Sequence, residues 1–344
     1  MQISCAVLSL LIAFPKQIIA LSFLKKRKYM QFGRVESELD LSAIDFTLPP
    51  DHPATTKVIA GHKAATGFFV GCAKWGRPDW VGKIYPPKTK QADFLQHYAR
   101  HFNCIELNAT FYRMPTQAQI RSWKSKVGEG FKFCPKFVDQ ITHIKRLKDT
   151  QELVDRFFDA VYEFKENLGP VFLMPHPQMG PKSLEIQQAF IESMPKDIEL
   201  FVEQRHKDWY TNTEAFDKLF AMMEKNSAGA VITDASARRD CVHMRLSTPQ
   251  AFIRFVGNGL HPTDYTRIDD WVQRMKTWKE QGIHKIYFFM HQHEELHSPE
   301  LALYLIQQLN KHCGTQIPEP VFVPKQELFD LPVKKKAAGK RKKA

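Results

Sequence analysis

Between Phe68 and Leu309 the sequence switches, eight times in succession, between a short apolar run and a longer connecting segment. The runs are Phe68–Ala73, Cys104–Leu107, Phe131–Pro135, Val171–Met174, Leu200–Glu203, Ala230–Thr233, Phe252–Val256 and Lys285–Phe289. Most are continuously apolar, which predicts strands buried on both faces of a parallel sheet. The connecting segments mostly carry helical spacing, as in Phe94, Leu95, Tyr98, Ala99 and Phe102, or Ile268, Trp271, Val272, Met275 and Trp278. Thr116 with Gln119 is a capping-box pattern, and Ser298-Pro299 reads as an N-cap followed by proline at the first helical position. Eight such units in about 240 residues predict an α/β fold of the (β/α)₈, TIM-barrel-like class, ahead of an open doubly wound sheet. No G-x-G-x-x-G or P-loop follows any strand, which weakens a nucleotide-binding version of the open sheet.

Around that core the chain divides simply. Residues 67–331 are expected to form one barrel domain. Residues 30–66, with the patch Leu48-Pro49-Pro50-Asp51-His52-Pro53, read as an extended lead-in. Residues 1–29 read as an upstream over-extension ahead of Met30. Their two apolar runs fall short of the roughly 20 residues that span a bilayer. Residues 332–344 form a basic tail, expected to be disordered.

The net charge of +12 suggests a nucleic-acid partner until its location is considered. Residues 1–29 carry five cations and residues 333–344 carry seven, with no acid in either, so the body between them is formally neutral. Contact with nucleic acid is therefore an expectation about the basic tail, not the barrel. The six cysteines contain no C-x-x-C pair, and Cys72, Cys104 and Cys134 fall inside apolar runs. That usage predicts a reducing compartment, hence the cytoplasm, without a disulfide frame.

Function in such a barrel gathers at the C-terminal ends of the strands. The first run ends in Lys74 and Trp75, the second in Glu106, Asn108, Thr110 and Tyr112, and the third in Lys136. The fifth offers Glu203, Arg205, His206 and Trp209. The sixth offers Asp234, the seventh Arg254 and Asn258, and the eighth His291 and His293.

These segments resemble the YecE-like family, domain of unknown function seventy-two. The likeness rests on Gly71-Cys72-Ala73-Lys74-Trp75, on Trp80 to Pro87, on Tyr98 to Asn103 and on Glu106 to Arg113. Phe131 to Lys136 and Val202 to Trp209 extend it, so that it runs from about Phe68 to about Leu309. The resemblance implies a TIM-barrel-like fold and no particular activity. Where many members carry paired asparagines after the eighth strand, this chain has Met290-His291-Gln292-His293.

Read by chemistry alone, Glu106 and Glu203 are candidates for catalytic acid and base on a sugar or phosphate ester. Arg205 and Lys136 would hold an anion, the former as a bidentate fork. Trp75, Tyr112 and Trp209 would supply flat surfaces, with Asn108, His206, Asp234 and Asn258 as further binding groups. The competing reading makes Glu203, Arg205 and Lys136 a buried network that closes the barrel top. Two other functions stay open: a non-catalytic barrel that binds nucleic acid, and a metabolite-binding protein without turnover. The cofactor, and any need for a metal, stays open.

Three further signals are discounted. His293-Glu294-Glu295-Leu296-His297 matches the H-E-x-x-H zinc pattern, but Ser298-Pro299 puts the helix start after it, so no metal site is assigned. Gly257-Asn258-Gly259 is a plain turn before it is a phosphate cradle. The run Lys334 to Lys343 is a solvated tail before it is a specific reader.

Overall fold

The computed structural model describes residues 32–35, 37–61 and 65–324. Residues 1–29 and the basic run 332–344 lie outside them, as do the start-site and nucleic-acid expectations those segments carry. Eight parallel strands follow in chain order: β1 (Gly67–Cys72), β2 (Cys104–Leu107), β3 (Lys132–Pro135), β4 (Val171–Leu173), β5 (Leu200–Val202), β6 (Gly229–Asp234), β7 (Gln250–Gly257) and β8 (Lys285–Gln292). Each overlaps its predicted run. The sheet runs β3-β2-β1-β8-β7-β6-β5-β4. The seam between β3 and β4 is spanned by isolated bridges, Phe133 with Leu168 and Lys136 with Phe172. Gly169 N donates to Phe133 O at 2.8 Å and Phe137 N to Phe172 O at 3.0 Å across that seam. The predicted barrel is thus present and nearly closed.

Eight α-helices of the outer layer are α1 (Pro53–Ile59), α2 (Phe94–Tyr98), α3 (Gln117–Lys124), α4 (Gln151–Val161), α5 (Leu184–Glu192), α6 (Thr213–Lys225), α7 (Pro262–Gln281) and α8 (Ser298–Cys313). Thr116 caps α3 as expected, its hydroxyl accepting from Gln119 N at 3.2 Å. Ser298 is the first residue of α8 rather than its cap, and its hydroxyl donates to Glu295 Oε2 at 2.7 Å. The H-E-x-x-H stretch forms no helix of its own, since its last three residues make a single 3₁₀ turn ahead of α8.

One unit departs from the simple repeat. Between β6 and β7 there is only a 3₁₀ turn, Arg239–Cys241. The lead-in segment, expected to be extended, contains two short helices, Glu38–Ser42 and α1. On one side of α1, His52 packs against Phe216 of α6 with ring centroids 6.0 Å apart. On the other, Asp51 binds Arg274 and the Trp278 indole of α7. Helix α1 therefore fills the wall position left between α6 and α7. The fully buried Thr55 locks it there, its hydroxyl donating to Met244 O and accepting from Leu246 N, both at 3.0 Å.

Strand alternation sorts side chains between the barrel interior and the helix-facing layer. The interior holds Cys104, Cys134, Phe172, Phe201, Val231, Phe252, Tyr287 and Phe289 in one apolar plug. Gly71 on β1 leaves room for it, because a Cβ there would stand 2.1 Å from the Cys104 carbonyl oxygen. Two residues further along the strands, the same inward phase presents Glu106, Lys136, Met174, Glu203, Thr233, Arg254 and His291. The charged layer is thus a product of strand periodicity, stacked on the apolar plug at the C-terminal end. Among the described residues no helix is long and apolar enough to cross a membrane.

Candidate functional site

Arg254, placed at a strand end by the sequence but given no role there, is the hub of this layer. Its Nε and Nη2 donate to Glu106 Oε2 and Oε1 at 2.8 and 2.9 Å. Its Nη1 reaches both oxygens of Glu203, at 2.8 and 2.9 Å. Glu203 also accepts from Thr233 Oγ1 at 2.5 Å and pairs with Arg205 Nη2 at 2.7 Å. Glu106 accepts from Asn108 Nδ2 at 2.8 Å and lies 2.9 Å from His291 Nε2. Both carboxylates are essentially without solvent exposure.

Those partners decide their protonation. Burial alone pushes both acids upward. Arg254 and His291 overcome it at Glu106 and hold that carboxyl well below the usual carboxylate range. Arg205, Arg254, Lys136 and Thr233 do the same at Glu203, down to about 2. Both stay ionised at neutral pH, so neither carries the proton that a general acid must give. The acid–base pairing expected of Glu106 and Glu203 lacks its acid for this physical reason.

Lys136 stands differently. It follows β3, and its ammonium lies 4.3 Å from the Phe111 ring centroid and 5.0 Å from that of Phe172. Its hydrogen-bond acceptor is the thioether of Met174, at 3.5 Å. Burial, followed by Arg254, lowers its pKa to about 7 against the pull of Glu203 and Glu106. Nearby His143 is pushed down to about 4 by burial and by His176, Lys136, Arg205 and Arg146, and is therefore neutral.

Arg205 completes the group. Its guanidinium lies 3.5 Å below the ring centroid of Phe32, from the lead-in segment. Its buried Nε has no hydrogen-bond partner among the described residues.

Beside this layer, at the ends of β1 and β2, a cleft of about 310 Å³ is walled by Trp75, Leu107, Asn108 and Tyr112, with Glu106 among its lining residues. Trp75 is held edge-on by Trp123, centroids 5.3 Å apart. Tyr112 is 76% exposed. Of the predicted residues, Trp75, Glu106, Asn108 and Tyr112 line this cleft, whereas Lys136, Glu203 and Arg205 belong to the buried charged layer beside it. His206 sits half-buried on the following loop, its Nδ1 accepting from Asp208 N at 3.2 Å.

Three others do not join them. Trp209 is fully buried in the short helix Asp208–Thr211, its indole donating to Met179 O at 2.9 Å, and has no face to offer a ligand. Asp234 has the outward phase of β6 and is consumed by Arg267 Nη2 and Trp271 Nε1, at 2.7 and 2.8 Å, and by Arg239. Asn258 N is taken by the Asp264 carboxylate at 2.8 Å, and Gly259 N by Gln292 Oε1 at 2.8 Å. The amides of that turn therefore cradle the chain's own side chains, not a phosphate. Among the described residues, no group of three or more His, Cys, Asp or Glu could hold a metal ion.

Comparison with known proteins places this geometry in a family. The family model described as "Protein of unknown function DUF72" matches residues 69–326. The UPF0759 protein YecE of Escherichia coli K12 is 27% identical over 261 residues, 71% of this chain and 93% of that protein. The UPF0759 protein YunF of Bacillus subtilis is 33% identical over 102 residues, 30% of this chain and 34% of that protein. Two solved structures share the fold. A DUF72 family protein from Enterococcus faecalis V583 superposes with a TM-score of 0.56 at 16% identity, covering 75% of this chain and 99% of the other. One from Thermotoga maritima MSB8 gives 0.54 at 21% identity, covering 71% and 99%.

Proposed function

We propose that this chain, which belongs to the DUF72 family, binds a small anionic ligand at the C-terminal mouth of its barrel. The carrying observation is the balance of buried charge there. Arg205 and Arg254 pair with the two carboxylates, Glu106 and Glu203, and Lys136 stands beside them without an ion pair among the described residues, its pKa lowered to about 7. An anion reaching Lys136 and Arg205 would pair with the ammonium form of Lys136 and with the guanidinium beside it. Bound charge would also favour the ammonium form of Lys136, so binding takes up a proton near neutral pH. Trp75 and Tyr112 would flank the rest of the ligand, as they would an apolar or sugar face. Glu106 and Glu203 then act as fixed counter-charges that hold Arg254 and Arg205 in place.

A phosphate ester or a carboxylate meets these demands, and a sugar-bearing anion would also use the cleft. Hydrolysis of such a ligand remains within this proposal, with Lys136, not a glutamic acid, the group able to exchange a proton at neutral pH. Five buried free thiols, among the described residues, support a reducing compartment, and we place the protein in the cytoplasm.

A thermal-shift panel of sugar phosphates, dicarboxylates and neutral sugars tests the reading, since a ligand stabilises by RT ln(1 + [L]/Kd). Anionic members should raise the melting temperature and lose that effect in Arg205→Lys. A shift caused equally by neutral sugars would refute anion recognition.

A further inference from the structure

Holding an anion does not by itself explain how Lys136 is housed. A lysine that only supplies charge is usually paired with a carboxylate or left in water. Among the described residues, Lys136 Nζ makes no ion pair, although Glu203 and Glu106 both lie close enough to act on it. It is buried, with a thioether as its acceptor and the guanidinium of Arg254 as a repelling neighbour, and this desolvation outweighs the cation–π attraction of the two ring faces beside it. Such surroundings favour the uncharged amine, whose lone pair is nucleophilic. Desolvation beside another cation is a known way to activate a lysine. The amine is also at the functional end of the barrel, on a residue fixed by the β3–β4 seam: Lys136 bridges Phe172 through its backbone.

We propose that Lys136 forms an imine with the carbonyl group of a small anionic aldehyde or ketone. The proposal rests on the reading of the mouth as an anion site and names the reactive group of its ligand. The Nζ lone pair forms the C–N bond as the carbonyl π pair moves to oxygen. Proton transfer from nitrogen to that oxygen gives a carbinolamine. Loss of water then leaves C=N, with the carbonyl oxygen and, in net balance, both amine hydrogens leaving as that water. No oxidant or reductant takes part. Protonation by solvent gives an iminium, which restores a positive charge at Lys136 opposite the ligand's anionic group. The carboxylate or phosphate meanwhile faces Arg205. Phe111 and Phe172 shield the new bond from water.

The test is reductive trapping on the full chain. Protein is incubated with glyoxylate, an anionic aldehyde, or propionaldehyde, a neutral one, in the presence of cyanoborohydride. Adducts are then mapped by proteolysis and mass spectrometry. Glyoxylate should modify Lys136 at least about tenfold faster than exposed lysines away from the cleft such as Lys225, as expected for a desolvated amine. The Lys136 rate should be half-maximal near pH 7, where its amine is half deprotonated. Lys136→Arg, checked for native circular dichroism, should lose this adduct. Because the wild-type map is read directly, the result does not depend on that variant folding. Adducts confined to exposed lysines with both aldehydes would overturn the imine and leave anion binding to stand on its own measurement. Equal trapping of both aldehydes at Lys136 would support the imine and overturn the anion reading.

Discussion

Arg254 grips Glu106 through two parallel bonds, Nε to Oε2 at 2.8 Å and Nη2 to Oε1 at 2.9 Å, across 148 residues of chain. The same guanidinium holds Glu203, so one side chain joins β7 to β2 and β5 through the barrel interior. Arg254→Met would leave two buried carboxylates short of a partner. Breaking such a pair from one side typically costs about 3–5 kcal/mol. Urea denaturation at pH 7 should show a loss of that size, and a narrower gap from wild type at acid pH, where the orphaned carboxyls protonate.

The acid limb of the stability profile follows from the same bonds. Glu106 and Glu203 are held below the usual carboxylate range in the folded chain. As pH falls through about 4.5 the unfolded chain takes up protons first, so folded stability declines. The contribution of Glu203 is present above that point and disappears by about pH 2. Melting temperature measured from pH 6 to pH 2.5 should fall, and Glu203→Gln should flatten part of the slope.

Lys136 works in the opposite direction. Its folded pKa, near 7, lies below the 10.5 of an exposed lysine, so between those values the unfolded chain binds more protons. Stability should therefore rise with pH across that window and be lowest below it. Lys136→Met should stabilise the free protein by roughly 2–4 kcal/mol at pH 7 and abolish the rise. Denaturant titrations at pH 7 and pH 9.5 compare the two directly.

The lead-in helix is part of the barrel wall in this account. Thr55→Val removes one hydroxyl that satisfies both Met244 O and Leu246 N inside the protein. The expected cost is about 1–3 kcal/mol, because two buried polar groups are left unpaired. A cost within experimental error in urea denaturation would detach α1 from the folding unit.

Strands were legible because being buried on both faces leaves continuous apolar runs in the sequence. The inward layer was partly legible for the related reason that side chains alternate. Phe252 and Arg254 share a face, and Thr233 points inward where Asp234 points out to Arg267. Applying that parity would have removed Asp234 from the site. What alternation cannot convey is which charges meet across a barrel, so Arg254 was seen at a strand end without its role as hub. Trp209 lies seven residues past β5, beyond the reach of strand phase, and packs inward against Met179 O. Asn258 and Gly259 had the right position for a phosphate cradle, but Asp264 and Gln292 arrive from other elements to occupy their amides. The wall position of α1 was hidden too, since nothing in its own spacing says that the β6–β7 connection lacks a helix.

The most direct measurement is isothermal titration of the full chain with inorganic sulfate, whose charge is constant, at pH 6 and pH 8.5. One saturable site is expected, tighter at pH 6, with proton uptake near pH 7, and weakened in both Arg205→Lys and Lys136→Met. No saturable heat, or binding unchanged by pH and by both substitutions, would contradict it.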